Sequence, residues 1–204
     1  MPPAFTAQEK ARITALLLET GQKLFTSQGL RKTSLEELMA PTGVAKSSFY
    51  VFFDSKEALY LELMLQQSGE VTRRVIDGAL LSTDDTREGL RRFLHATIEE
   101  LSANPLWRRL MTHPEEMQAV ARKLDPERVA AMPDNPATAL TEYVAAHKDR
   151  GDLVAAEPAV IIGVLQCVLL VPMFAERLGD PVLYPKILDL LIEIVAAGLA
   201  RRNE

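Results

Sequence analysis

Residues 33–59 read TSLEELMAPTGVAKSSFYVFFDSKEAL, and the reading of this stretch decides the fold. Ser34-Leu35-Glu36-Glu37 spells a capping box: a hydroxyl for the first-turn amides, and a glutamate three residues on to return the bond. Leu35, Leu38 and Met39 then share one face of a short helix. Pro41-Thr42-Gly43 ends that helix, because glycine accepts the left-handed backbone that a tight turn between helices demands. Val44 restarts the chain as a buried pin.

The next predicted helix, 46–53, has two faces. Phe49, Phe52 and Phe53 suit a core, while Lys46, Ser47, Tyr50 and Val51 fall on another side. The outer face is rich in hydroxyls and carries one cation at its N-terminal end. That is the chemistry with which a helix meets base edges in a major groove. Asp54-Ser55-Lys56-Glu57 is a second capping signal, and a lysine beside first-turn amides can hold a phosphate. Tyr50 as a half-buried core residue and Lys56 as an ordinary solvated lysine are the competing readings. The run Phe49-Tyr50-Val51-Phe52-Phe53 is nonetheless too aromatic for a short exposed helix unless both faces are used.

Outward from this stretch the periodicity is helical throughout. A helix is expected over 8–28, with Ile13, Leu16, Leu17, Leu24 and Phe25 as its stripe and Gly29 as its stop. Further helices are expected from 55 to about 80 and over 86–102, 105–123, 135–149, 158–178 and 182–202, about nine segments in an all-α chain.

The 204 residues are 48% hydrophobic and 25% charged, enough to bury a core. A single cysteine, Cys167, forms no internal disulfide and supplies no zinc site, which points to a reducing, cytoplasmic setting. His95, His113 and His147 lie too far apart to imply a metal site by spacing, and no cofactor is expected. MPPAFTAQEK has no secretory pattern. The apolar stretch 159–174 is broken by Gln166 and Pro172 and falls short of the roughly 20 residues that span a bilayer, so no membrane partner is expected. The net charge is −5, yet residues 9–60 carry +1 and the remainder −6. A near-neutral head on an acidic body is compatible with DNA binding through a few placed cations and predicts weak non-specific affinity.

Leu24-Phe25, Gly29, Thr33-Ser34, Leu38, Gly43-Val44-Ala45-Lys46-Ser47-Ser48-Phe49-Tyr50, Phe53 and Ser55-Lys56-Glu57-Ala58-Leu59 together resemble the DNA-binding domain of the TetR (tetracycline repressor) family. The resemblance covers about the first 60 residues. It implies an N-terminal three-helix helix-turn-helix domain at 1–55 and an effector-binding and dimerisation domain at 56–204. Lys46, Ser47 and Val51 would face bases, and Ser34, Ser48, Tyr50 and Lys56 would face phosphates or sugars. Ala45 departs from the usual hydroxyl cap, so that end must be satisfied otherwise. Val51 stands where a polar or aromatic reader is frequent, which suggests contact with a thymine methyl. Glu36 replaces a commonly basic or polar residue, so helix two adds less affinity, and Pro41 shortens that helix.

One head reads too few base pairs for specificity, so a homodimer is expected. The last two helices are the candidate interface, with Val164, Val168, Leu188, Leu191 and Val195 in it. The resemblance also implies a small-molecule effector cavity, for which Phe93, Thr97, Trp107, Met111, Tyr143, Gln166 and Cys167 are the candidate lining. Gln166 reads equally well as a pocket residue or as a polar contact across the dimer. The expected function is a ligand-responsive repressor on a palindromic DNA operator, and not an enzyme. A helical enzyme or carrier is the rival reading; it lacks a ligand cluster, a phosphate loop and a nucleophile–base spacing in the sequence. A protein-interaction module leaves the face at Lys46–Tyr50 without a purpose.

Overall fold

Thr6 starts the first helix: its hydroxyl accepts the Glu9 N–H at 3.2 Å, and the Glu9 carboxylate takes the Thr6 N–H at 2.8 Å. Helix α1 (Ala7–Ser27) buries Ile13, Leu17, Gly21 and Phe25, one line at every fourth residue. It stops as expected at Gly29, which has φ +87° and donates its N–H to the carbonyls of Leu24 and Phe25. The computed structural model describes residues 5–122, 136–178 and 180–201. Among them every element is helical, apart from a single antiparallel bridge between Leu153 and Ala200.

After α1 come α2 (Leu35–Met39), a 3-10 turn (Ala40–Thr42), a 3-10 segment (Lys46–Val51) and α3 (Lys56–Thr72), which continues in wider π-helical turns over Arg73–Leu80. There follow α4 (Thr86–Ala103), α5 (Pro105–Thr112), α6 (Pro114–Ala121), α7 (Pro136–Asp149), α8 (Pro158–Leu170), a 3-10 stretch (Val171–Arg177) and α9 (Tyr184–Leu199).

Two expected helices are interrupted, each at a proline. The segment 105–123 divides at His113, because Pro114 has no N–H to continue the ladder and the residue before a proline is pushed out of the helical region. His113 has φ −132° and ψ 68°. The segment 158–178 leaves the α-helix at Leu170, because Pro172 has no N–H to offer the Val168 carbonyl; the Val171 N–H bonds it instead.

The chain forms two compact units, and these do not follow a linear cut at residue 55. One comprises Met1–Gln67 with Pro105–Met132, the other Ser68–Asn104 with Pro133–Glu204. In the first, the head, Ile13, Leu17, Phe25, Leu38, Phe49, Leu59, Tyr60 and Leu63 form a core that Leu106 of α5 and Val120 of α6 complete. In the second, the body, α4 contributes Leu90, Phe93 and Leu94. Helix α7 adds Leu140, Tyr143 and Val144, α8 adds Ile161, Leu165, Val168 and Leu169, and α9 adds Leu188, Ile192, Ala196 and Leu199.

Helices α5 and α6 are fastened to the head by a buried ion pair. Arg109 donates to both carboxylate oxygens of Glu116, at 2.9 and 2.8 Å, and their side chains are only 17% and 7% exposed. The same Glu116 accepts the Leu30 N–H at 3.1 Å. A side chain at Gly29 would collide with the Arg109 guanidinium, so that position requires glycine twice over, for its backbone and for space. Burial, reinforced by the Glu116 charge, pushes the nearby Tyr60 hydroxyl's pKa up.

Replacing Glu116 by Ala strands the Arg109 charge and the Leu30 N–H together. Removing one partner of such a pair costs about 3–5 kcal/mol, and urea unfolding of the Glu116→Ala chain is expected to lose stability in that range. The double change Arg109→Met/Glu116→Leu should recover much of it. A single variant as stable as the parent chain would show that the pair fastens nothing.

Candidate nucleic-acid interface

The site begins at the capping box. Ser34 Oγ accepts the Glu37 N–H at 3.2 Å, and Glu37 Oε2 accepts the Ser34 N–H at 2.8 Å. The bond from the Ser34 N–H, with further bonds from Gln28 Nε2 at 3.0 Å and from the Ser34 hydroxyl, holds the Glu37 carboxyl below the usual carboxylate range. Helix α2 is one turn and a fraction long. Its end is secured by Thr42, whose hydroxyl donates to the Met39 carbonyl at 2.7 Å and accepts the Val44 N–H at 3.2 Å. Gly43 takes φ +71°, the left-handed turn expected of it.

Lys46–Val51 then forms 3-10 turns, where a regular helix over 46–53 was expected. Ala45 supplies no side-chain cap, and its carbonyl takes the Ser48 N–H at 2.9 Å, the i to i+3 bond of the tighter helix. Phe49 is fully buried beneath the segment, its ring edge-on to Tyr50 at 5.7 Å and tilted against Phe53 at 6.1 Å. Phe52 and Phe53 are half-buried against the same core, and Phe5 packs on Phe52 at 5.4 Å.

With Phe49 inward, Lys46 and Ser47 are exposed, as are Tyr50 (62%) and Val51 (55%). Ser48 is half-buried. All four expected face residues are therefore exposed, with Phe49 the inward member of the segment. The Lys46 ammonium lies 2.9 Å from Glu36 Oε1, across the turn from α2. Nothing local in the sequence announces that pairing, since the partners are ten residues apart.

Ser34 and Lys56, which the resemblance implies face phosphates or sugars, also bond within the chain. The Ser34 hydroxyl also donates to Glu37 Oε2 at 2.8 Å, so the capping box occupies it. The half-buried Lys56 ammonium donates to the carbonyls of Arg31 and Thr33, at 3.2 and 2.9 Å. It pins the turn between α1 and α2. The cap on α3 comes from Ser55, whose hydroxyl accepts the Ala58 N–H at 3.1 Å.

The candidate effector residues do not converge. Phe93 and Tyr143 are core residues of the body, and the half-buried Thr97 spends its hydroxyl on the Phe93 carbonyl at 2.7 Å. Trp107 packs on the core of the head unit, and the side chain of Met111 lies outside the described residues. Gln166 and Cys167 are exposed on α8, so within this one chain they line no enclosed cavity, and of the two readings of Gln166 its exposure suits the contact across a dimer. A helix apolar nearly all round gives no signal of which side faces in. The body's open cleft of about 600 Å³ is lined by Asp84, Asp85, Thr86, Arg87, Asp152 and Arg201 among others, and by none of the seven. Of the candidate interface residues, Val168 and Leu188 are buried in the body's own core and unavailable to a partner. Val164, Leu191 and Val195 are half-buried.

Residues 17–63, which run from the middle of α1 through α2 and the 3-10 segment to the start of α3, match the family of bacterial regulatory proteins described as the tetR family. The N-terminal segment of this chain thus matches the TetR family's model, over 17–63 of its 204 residues. It is 34% identical over 62 residues to the HTH-type transcriptional regulator YuxN of Bacillus subtilis, a match covering 30% of this chain and 21% of that one. It is 28% identical over 85 residues to the HTH-type regulator YxaF of the same organism, covering 41% and 44%. The chain thus spans less than half the length of the curated relatives it matches. A TetR family transcription regulator from Marinobacter aquaeolei has the same fold along nearly the whole chain, with a TM-score of 0.67 at 20% identity over 97% of this chain and 100% of that one.

Two outcomes follow from the site's bonding. Lys56→Met is expected to lower the thermal midpoint and the hydrogen-exchange protection of residues 31–33, with the salt dependence of DNA binding unchanged. A salt slope reduced by about 0.9 per head would instead return Lys56 to a phosphate. Glu37's folded pKa is depressed, so its contribution to α2 is full above the unfolded value of about 4.3. It is lost as pH falls through the lower folded value, and an NMR titration of the Glu37 side chain reads that midpoint directly.

Proposed function

We propose that this chain is a repressor that binds a two-fold symmetric DNA operator as a homodimer and responds to an effector held by its body. The observation that carries the DNA reading is the outward face of Lys46, Ser47, Tyr50 and Val51, fixed from below by a buried Phe49. Lys46 and Ser47 offer donors to base edges, and Val51 offers a methyl surface suited to thymine. Tyr50 and Ser48 sit beside them for the sugar-phosphate backbone, whose contacts position without specifying.

The homodimer rests on the outer side of α8 and α9. Ile187, Leu190 and Ile194 are 42%, 61% and 59% exposed at helical spacing on α9, and Val160 on α8 is 54% exposed. A second copy presenting the same stripe buries them, two helices from each. The stretch Pro158–Ala175 is also apolar enough, at mean hydropathy 2.3 over 18 residues, to cross a bilayer by length and composition. Against a bilayer stand the break of the α-helix at Leu170 and the packing of Ile161, Leu165, Val168 and Leu169 in the body core.

Effector response has a physical route along the chain. Helix α3 passes from the head unit into the body unit, and α5–α6 belongs to the head although the chain before and after it belongs to the body. A ligand that favours one arrangement of the body then biases the separation of two heads that a palindrome requires about 34–36 Å apart.

Selection from random duplex DNA with the purified chain is expected to enrich a two-fold symmetric site. Tyr50→Ala should weaken its binding without loss of fold. Leu190→Glu/Ile194→Glu should give a monomer in sedimentation that holds the operator far more weakly. Enrichment of no sequence by a dimeric protein at low salt refutes the DNA reading, and unchanged sedimentation of the double variant refutes the interface.

A further inference from the structure

Lys46 supplies the only cation of the segment KSSFYV, and it is already engaged. Its Nζ lies 2.9 Å from Glu36 Oε1, while the two side chains remain 52% and 72% exposed. Exposed pairs of this kind contribute about 0–1 kcal/mol to stability, so the fold does not need it. What the pair does is present a hydrogen-bond donor beside an acceptor at the mouth of the outward face.

We propose that Glu36 and Lys46 act as one specificity-determining reader of a G·C base pair; this rests on the DNA-binding reading above and extends it. In the major groove a G·C pair offers guanine N7 and O6 as acceptors, then the cytosine N4 amine as a donor. O6 and N4 are the two ends of a Watson–Crick hydrogen bond, about 2.9 Å apart. The separation of Lys46 Nζ and Glu36 Oε1 is the same, with the opposite chemistry at each end. Lysine takes O6 and N7, and glutamate takes the N4 amine.

An A·T pair fits less well. Its N6 amine lies between the N7 acceptor and the thymine O4. A carboxylate on N6 is therefore crowded by N7, and a lysine on O4 meets the thymine methyl. A bare phosphate fits least, because it offers the carboxylate nothing and must displace it to reach the lysine. Glu36 thus lowers affinity for any backbone and restores it only where a base donor is present. Because Lys46 carries its counter-ion within the protein, its engagement with non-specific DNA releases fewer ions into solution.

The test compares the full chain with Glu36→Ala, Lys46→Met and the double variant, each checked for an unchanged melting curve. Binding is measured to the selected operator, to the operator with its G·C pair changed to A·T, and to non-specific duplex across a salt series. The wild-type site should contain the G·C pair in each half, and the change to A·T should cost about tenfold. Glu36→Ala should erase most of that penalty, tighten non-specific binding several-fold and steepen its salt slope by about 1 per head. In the Lys46→Met background the Glu36 change should have no further effect on the slope. If Glu36→Ala leaves the base preference and the slope unchanged while Tyr50→Ala still weakens operator binding, the paired reader is wrong and the DNA reading stands. A selected half-site with A·T at that position overturns the pair as well. If the wild type enriches no sequence, the DNA reading itself has failed.

Discussion

Between α1 and α2 the chain turns through residues whose backbone groups no helix satisfies, and the head is organised around satisfying them. The Leu30 N–H goes to Glu116, 86 residues away in sequence. The Arg31 and Thr33 carbonyls go to Lys56. The Thr33 hydroxyl closes back onto the Gly29 carbonyl at 2.8 Å. Two separate elements, α6 and α3, therefore grip one short turn that also closes on itself. Everything downstream inherits its position, since Ser34 begins the capping box directly after it. The charge on Glu116 is tolerated in the interior because Arg109 and an N–H together replace the water it gives up.

A 3-10 segment of six residues has little stability of its own, since its hydrogen bonds are poorly aligned. Its shape comes from Phe49. Once that ring is committed to the core, neighbouring side chains have only the outer surface left, and Tyr50 stands edge-on to it as the exposed member of the pair. Truncating a fully buried phenylalanine costs about 3–5 kcal/mol, comparable to the stability of many small domains. The outward face is thus a consequence of one burial below it.

What was legible in the sequence is what is encoded locally. Ser34 and Glu37 are three residues apart, Gly29 and Gly43 end helices by backbone alone, and the alternation of inward phenylalanines with outward polar residues at 46–53 marks a two-faced segment. The breaks at Pro114 and Pro172 were equally local, and a helix expected across each of them gave too little weight to the missing N–H. Distance defeated the rest. Glu116 looks like any acidic residue near a helix start until Leu30 is beside it. Lys56 looks free until the α1–α2 turn is folded onto it. On α8, apolar residues surround the axis, so that neither the exposure of Gln166 and Cys167 nor the burial of Val168 was written in the pattern.

The charge economy of the head ties these points to function. Residues 9–60 hold seven basic side chains and six acidic ones. Lys23 is paired with Glu19, Lys46 with Glu36, and Lys56 is bound to carbonyls. With three of the seven engaged by the protein's own groups, less charge remains to grip phosphates indiscriminately, and that grip is the term which falls steeply with salt. On the proposed function, a head built in this way gains most of its affinity from matched groups. Matching needs rigid placement, which is what the grip on the α1–α2 turn and the burial of Phe49 provide.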